Sequence, residues 1–171
     1  IEGVDLIRAI DIYTGRLLWE TRLPGVGEFY NNLAHQPGAN ASGSNFVSTS
    51  DGVYVAYKDK CLRLDLDTGK VAETFHVPAF PGMKKGAPWG YINVAGDYLI
   101  GGENKTKHDM ADQAKPAKES AIAKLLKKFK GKSDNLSGSR HLFVIHRRTG
   151  KVLWTASAEH SFRHNAICVG G

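Results

Sequence analysis

Apolar residues recur at every second position in short runs along this chain, and three of these runs flank a Thr-Gly pair. In the first, Ile10 and Ile12 lead into Thr14-Gly15, and Leu17 and Trp19 follow. The second passes from Leu62, Leu64 and Leu66 through Thr68-Gly69 to Val71, and the third from Leu142 through Thr149-Gly150 to Trp154. Period two is the side-chain repeat of a strand and glycine readily takes the positive φ of a tight turn, so each copy predicts a β-hairpin. The Thr and the preceding Asp can bond turn amides. A Trp four residues after the Gly offers a large apolar plate with one hydrogen-bond donor, suited to docking on the next sheet.

Further runs of the same kind surround the second and third copies. Residues 45–50 and 53–58 read as strands joined by Asp51-Gly52, a strong hairpin signal, and with 61–65 and 70–77 they make four strands in series, A to D. The third copy repeats the scheme with strands at 91–94, 98–101, 141–146 and 151–157. The first supplies only strands C and D, and the chain is expected to close with another strand A around 165–169. A four-stranded antiparallel unit in tandem has two apolar faces and needs neighbours on both, which is the arrangement of β-propeller blades. The expected fold is therefore all-β, a propeller fragment over 1–171 with about two complete blades plus partial ones. Two complete blades cannot close a ring.

The turn glycines Gly15, Gly69 and Gly150 lie 54 and then 81 residues apart, so the last unit carries an insertion, at 103–139 between its strands B and C. Within it the period changes. Ile122, Leu125, Leu126 and Phe129 fall at i, i+3, i+4 and i+7, Pro116 suits a first helical turn and Gly131 a C-cap, so 116–131 reads as an amphipathic helix.

Charge sharpens this division. The net +6 would suggest a polyanion partner, but 103–139 holds nine Lys against five acids, and the remainder only fourteen Lys or Arg against twelve. The basicity belongs to the insertion, whose apolar stripe is more simply read as packing on the sheets with its lysines in water than as a membrane or nucleic-acid surface. The two cysteines, Cys61 and Cys168, are too few and too far apart for a disulfide framework and read as small buried apolar residues. Strand-like sequence at both termini suggests a piece of a longer protein.

The pattern Ala-x-Asp-x-x-Thr-Gly-x-x-x-Trp, complete as Ala9, Asp11, Thr14, Gly15 and Trp19, resembles the tryptophan-docking motif of the pyrroloquinoline-quinone (PQQ) repeat family of β-propellers. The second copy keeps Asp65, Thr68 and Gly69 but has Glu73 for the Trp. The third keeps Thr149, Gly150 and Trp154 but has His146 for the Asp. The resemblance implies a bacterial, periplasmic or otherwise exported parent whose remaining blades are the chain's first partners. Active quinoprotein dehydrogenases of that family carry adjacent cysteines and calcium-binding carboxylates and amides near a catalytic Asp. Cys61 and Cys168 are not adjacent, and no carboxylate here matches those roles. The resemblance thus implies a non-catalytic module for binding or scaffolding, as in the propeller lipoprotein of the outer-membrane barrel-assembly machinery, with no catalytic or metal-binding residue assigned. The alternative it leaves open is a fragment of a PQQ-dependent alcohol or sugar dehydrogenase binding PQQ and calcium. A second alternative, from the insertion alone, is docking on an anionic membrane or polyanion.

Strand parity places the three Thr-Gly turns on one side of the blades, and the D-to-A crossovers and the insertion on the other. Loops carry function more often than scaffold does, so ligand candidates are sought on the crossover side: His35, Asn45, Trp89, Arg163, His164 and Asn165. Trp89 could stack on a planar ligand or simply open an inner strand. His160 and His164 have the spacing of a metal pair on a helix but flank the start of a strand, so no metal is assigned.

Overall fold

The computed structural model describes residues 5–26, 45–79, 81, 86–103 and 138–170. They form ten strands: β1 (Leu6–Ile10), β2 (Leu17–Arg22), β3 (Phe46–Thr49), β4 (Gly52–Tyr57), β5 (Lys60–Leu64), β6 (Val71–His76), β7 (Trp89–Ala95), β8 (Tyr98–Glu103), β9 (Gly138–His146) and β10 (Lys151–Arg163). Strands β3 to β6 make one antiparallel sheet in sequence order, β7 to β10 make a second in the same order, and β1 and β2 form a hairpin. The described residues are thus all-β, two four-stranded blades of propeller type and a two-stranded portion of a third. His35 and the expected helix at 116–131 fall outside the described residues.

The three hairpin turns share a mechanism. Gly15, Gly69 and Gly150 have φ of 69°, 68° and 69°. Asp11 Oδ1 accepts the Tyr13 and Thr14 amides at 2.9 Å each, and Asp65 Oδ1 accepts the Thr68 hydroxyl at 2.7 Å and its amide at 2.9 Å. These bonds favour the ionised form, so both carboxyls titrate below the usual range, through the Thr14 amide first at Asp11 and the Thr68 hydroxyl first at Asp65. In the third turn, where His146 replaces the Asp, the backbone makes the closure: the Gly150 and Thr149 amides reach His146 O at 2.8 and 3.1 Å. Each hairpin shifts register at the same point, leaving Trp19 opposite Ala9, Glu73 opposite Arg63 and Trp154 opposite Val144.

The sheets bury their faces against each other. Ile7, Trp19 and Leu23 of the hairpin and its exit pack with Val53, Val55, Leu62 and Leu64 of the first sheet. The other face of that sheet, through Tyr54, Ala56, Cys61 and Phe75, packs on Trp89, Ile92, Leu99, Phe143 and Ile145 of the second. Each large side chain so buried contributes about 1.5–3 kcal/mol.

The two seams are fastened differently on the turn side. Trp19 is buried, its indole N–H donates to Leu66 O at 2.6 Å, and the neighbouring Thr21 hydroxyl donates to Gly69 O at 2.6 Å. Glu73 stands in the equivalent place at the next seam and pairs within its own sheet with Arg63 at 3.2 Å. There the link comes from Arg147, 8% exposed, whose Nη1 bonds the Asp51 carboxylate and the Tyr54 hydroxyl (3.0 Å) across the seam while Nε donates to Gly96 O at 2.6 Å. Burial raises the Asp51 pKa, but the Thr49 hydroxyl and Arg147 outweigh it, and the carboxyl is held below its ordinary value.

Two expectations are corrected. Residues 165–169 do not form a strand: β10 continues to Arg163 by pairing Phe162 with Ser139 and Arg163 with Gly138, and the chain then turns through a 3-10 turn at His164–Ala166. The inward-facing His164 ends the extended course. Cys61 is buried as expected, whereas Cys168 is exposed, because it lies in the irregular stretch after that turn.

Candidate functional site

On the crossover side of the second sheet, β7 begins, β8 ends, β9 begins and β10 ends. Antiparallel pairing therefore gathers Trp89, Glu103, Ser139, His141, Arg163 and His164 at one rim.

Trp89 is 4% exposed and meets Phe143 edge to face at 4.9 Å. Its indole N–H donates to Tyr91 O at 2.8 Å, and its backbone N–H to Lys58 O in the preceding sheet at 2.6 Å. The indole lies in the core, where it joins the two sheets. Asn45 is buried beside the start of β3. Its Nδ2 donates to Val26 O at 2.7 Å, its carbonyl accepts the Ala56 amide at 2.8 Å, and its Oδ1 has no hydrogen-bond partner among the described residues. Arg163 is exposed at the end of β10, and the Asn165 backbone lies in the 3-10 turn. The structure thus brings Trp89, Arg163 and His164 to one rim and leaves Asn45 on the neighbouring sheet.

His164 belongs to a polar cluster. It is 5% exposed, its Nε2 lies 2.8 Å from Ser139 Oγ, and its ring lies 5.1 Å from that of Tyr91. The fully buried Ser139 hydroxyl also donates to Glu103 O at 2.5 Å. One hydroxyl has one proton, so the imidazole must carry its hydrogen on Nε2 and donate it to Ser139. Burial lowers the His164 pKa to about 4, which makes the ring neutral at physiological pH. Beside it, His141 Nδ1 and Glu103 Oε2 are 2.5 Å apart, with side chains only 12% and 10% exposed. Gly102 makes room for the cluster, since a Cβ there would stand 2.5 Å from Ser139 Oγ.

Chemically, this is a set of paired donors and acceptors that closes the rim where the insertion departs. Ser139 gives its proton to a carbonyl and accepts the Nε2–H of His164, so in this arrangement the imidazole does not stand as a base toward the hydroxyl. Glu103, Ser139 and His141 were not among the sequence candidates. Their only early signal was position: Ser139 and His141 share one strand face, and Glu103 follows Gly102, which pairs with Leu142. That register spans the insertion and is not a local property.

Among the described residues no three His, Cys, Asp or Glu side chains are grouped as a metal site, and no helix is long and apolar enough to cross a membrane. No protein-family model and no curated protein matches the chain. Several solved structures are similar in outline, among them the following two. Quinohemoprotein alcohol dehydrogenase from Comamonas testosteroni matches at 17% identity and a TM-score of 0.49, covering 89% of this chain and 18% of that one. BamB from Moraxella catarrhalis matches at 10% identity and a TM-score of 0.36, covering 90% of this chain and 47% of that one. The chain spans less than half the length of either.

Proposed function

We propose that the chain is a non-catalytic stretch of a PQQ-like β-propeller that serves binding or scaffolding within a larger protein. The observation that carries this reading is the outer face of β7 to β10. A groove of about 650 Å³ runs along it, lined by Tyr98, Ile100, Leu142, Val144, Trp154 and Ile167 among others. Trp154 holds the place in its hairpin that Trp19 holds in the first, yet it is 50% exposed where Trp19 is 8%. Trp19 is buried because a sheet lies against it. A further blade laid on β7 to β10 would cover the groove and Trp154 in the same way, so the first partner of this chain is another four-stranded sheet of its own protein.

The rim side chains support the same reading, because Trp89 and His164 are engaged in contacts within the fold. The experiment is to titrate the longer protein with PQQ and calcium while following dye-coupled alcohol and sugar oxidation. Neither binding nor turnover is expected, and saturable PQQ binding with turnover would replace this reading with the oxidoreductase one. In parallel, the Trp154 fluorescence should shift to the blue when the following repeat is included. An unshifted spectrum would remove the support taken from the outer face.

A further inference from the structure

The segment after β10 lies along the outer face of the second sheet. Ile167 packs with Phe162 against Tyr91, Ile100, Leu142 and Val144, and residues 166–170 form one wall of the groove. Among the described residues the backbone adds little to this placement, with one long bond from the Ile167 amide to His164 O at 3.4 Å. The firm attachment is the His164 side chain, bonded to Ser139 Oγ and laid against Tyr91.

The groups around His164 come from each neighbouring strand. Tyr91 from β7 and Ser139 from β9 touch it and are neutral. The Glu103 carboxylate of β8 is bonded to His141 of β9, Arg163 precedes it on β10, and the Cys168 thiol follows in the strap. The one acid of the cluster is therefore engaged by His141, and the group that bonds His164 is an uncharged hydroxyl. Among the described residues, a cationic imidazole in this place would be buried without a counter-charge.

We propose that His164 is an acid-released clasp: its neutral imidazole holds the 164–170 strap on the outer face, and protonation frees the strap and so takes away one wall of the apolar groove. A histidine in water takes up its proton near pH 6.5, while burial holds this one at about 4. Proton uptake thus favours the released form progressively as the pH falls between these values.

The test is NMR of the protein at about pH 7.5 and pH 4.5, reading the cross-relaxation of the Ile167 methyls with the Tyr91 ring and the Val144 methyls, in the wild type and in His164→Gln. The glutamine keeps a donor for Ser139 but does not titrate. These Ile167 contacts in the wild type should weaken by about tenfold or more at the lower pH while the contacts between β8 and β9 persist, and should not change with pH in the variant. Unchanged wild-type contacts, an equal loss in the variant, or loss between β8 and β9 together with the strap would each overturn the clasp. The wild type alone gives a second reading through the NMR titration of the His164 ring, where a pKa near 6.5 would count against the proposal and a value well below it in its favour.

Discussion

The two seams of this molecule bury similar apolar cores but are fastened on the turn side by different chemistry. Between the hairpin and the first sheet, a tryptophan lies over a turn glycine and donates to the turn carbonyl at Leu66. Between the two sheets, where Glu73 stands in the tryptophan's place, Arg147 reaches back from the following turn to Asp51 and Tyr54. A flat apolar plate needs only a smooth turn with no Cβ in its way. A guanidinium needs its acceptors in fixed positions, and the A-to-B turn of one sheet and the hydroxyl of Tyr54 supply them. The first fastening is an apolar plate with one neutral hydrogen bond, and the second is electrostatic.

The largest test of this contrast is Trp19→Ala, which removes a buried plate and should cost about 3–5 kcal/mol in chemical denaturation. Trp154→Ala, at a half-exposed side chain, should cost less than about 1 kcal/mol in this chain. Equal losses would show that tertiary docking is not what distinguishes the two positions.

Next in size is the turn glycine itself. A Cβ at Gly69 would stand 2.4 Å from the Trp19 ring, and at Gly150 it would meet nothing within 4 Å. Gly69→Ala should therefore lose about 2–4 kcal/mol from overpacking plus positive-φ strain, and Gly150→Ala only about 1 kcal/mol from the backbone. A similar midpoint for both variants would contradict the close approach at the first seam.

Arg147→Ala should cost about 1–3 kcal/mol, less than a fully buried pair would, because Asp51 can turn to water once its partner is gone. Raising the salt concentration should narrow the gap between this variant and wild type while leaving the Trp19→Ala gap in place. The acid profile separates the regions further. A depressed histidine contributes stability that is complete above the unfolded pKa of about 6.5 and declines as the pH falls toward the folded value, so His164 should cost up to about 3 kcal/mol between pH 6.5 and 4. Asp51 is a depressed acid, and its contribution fades only below about pH 3.8, as the pH falls through its folded value. His164→Gln should flatten the first step and leave the second.

The smallest expected effect is that of Glu73→Ala, about 0–1 kcal/mol, since its bond to Arg63 is partly exposed and lies within one sheet. A loss as large as that of Arg147→Ala would move the fastening of the second seam to Glu73.

What the sequence determined by itself is local. Alternation about Asp51-Gly52 and about the three Thr-Gly pairs set eight of the ten strands and their order, because side-chain period and positive φ depend only on neighbours along the chain. The tertiary structure decided everything that depends on which residues meet across a sheet or a seam. Glu103 and His141 pair only when β8 and β9 take their register across the insertion. Arg147 becomes a link only when the two sheets close, and residues 165–169 leave the strand path because His164 turns inward to Ser139. Two tryptophans at equivalent places in equivalent hairpins show the reason most directly. Trp19 is buried and Trp154 is half exposed because burial belongs to what packs against a side chain, and among the described residues a sheet lies against the first of them alone.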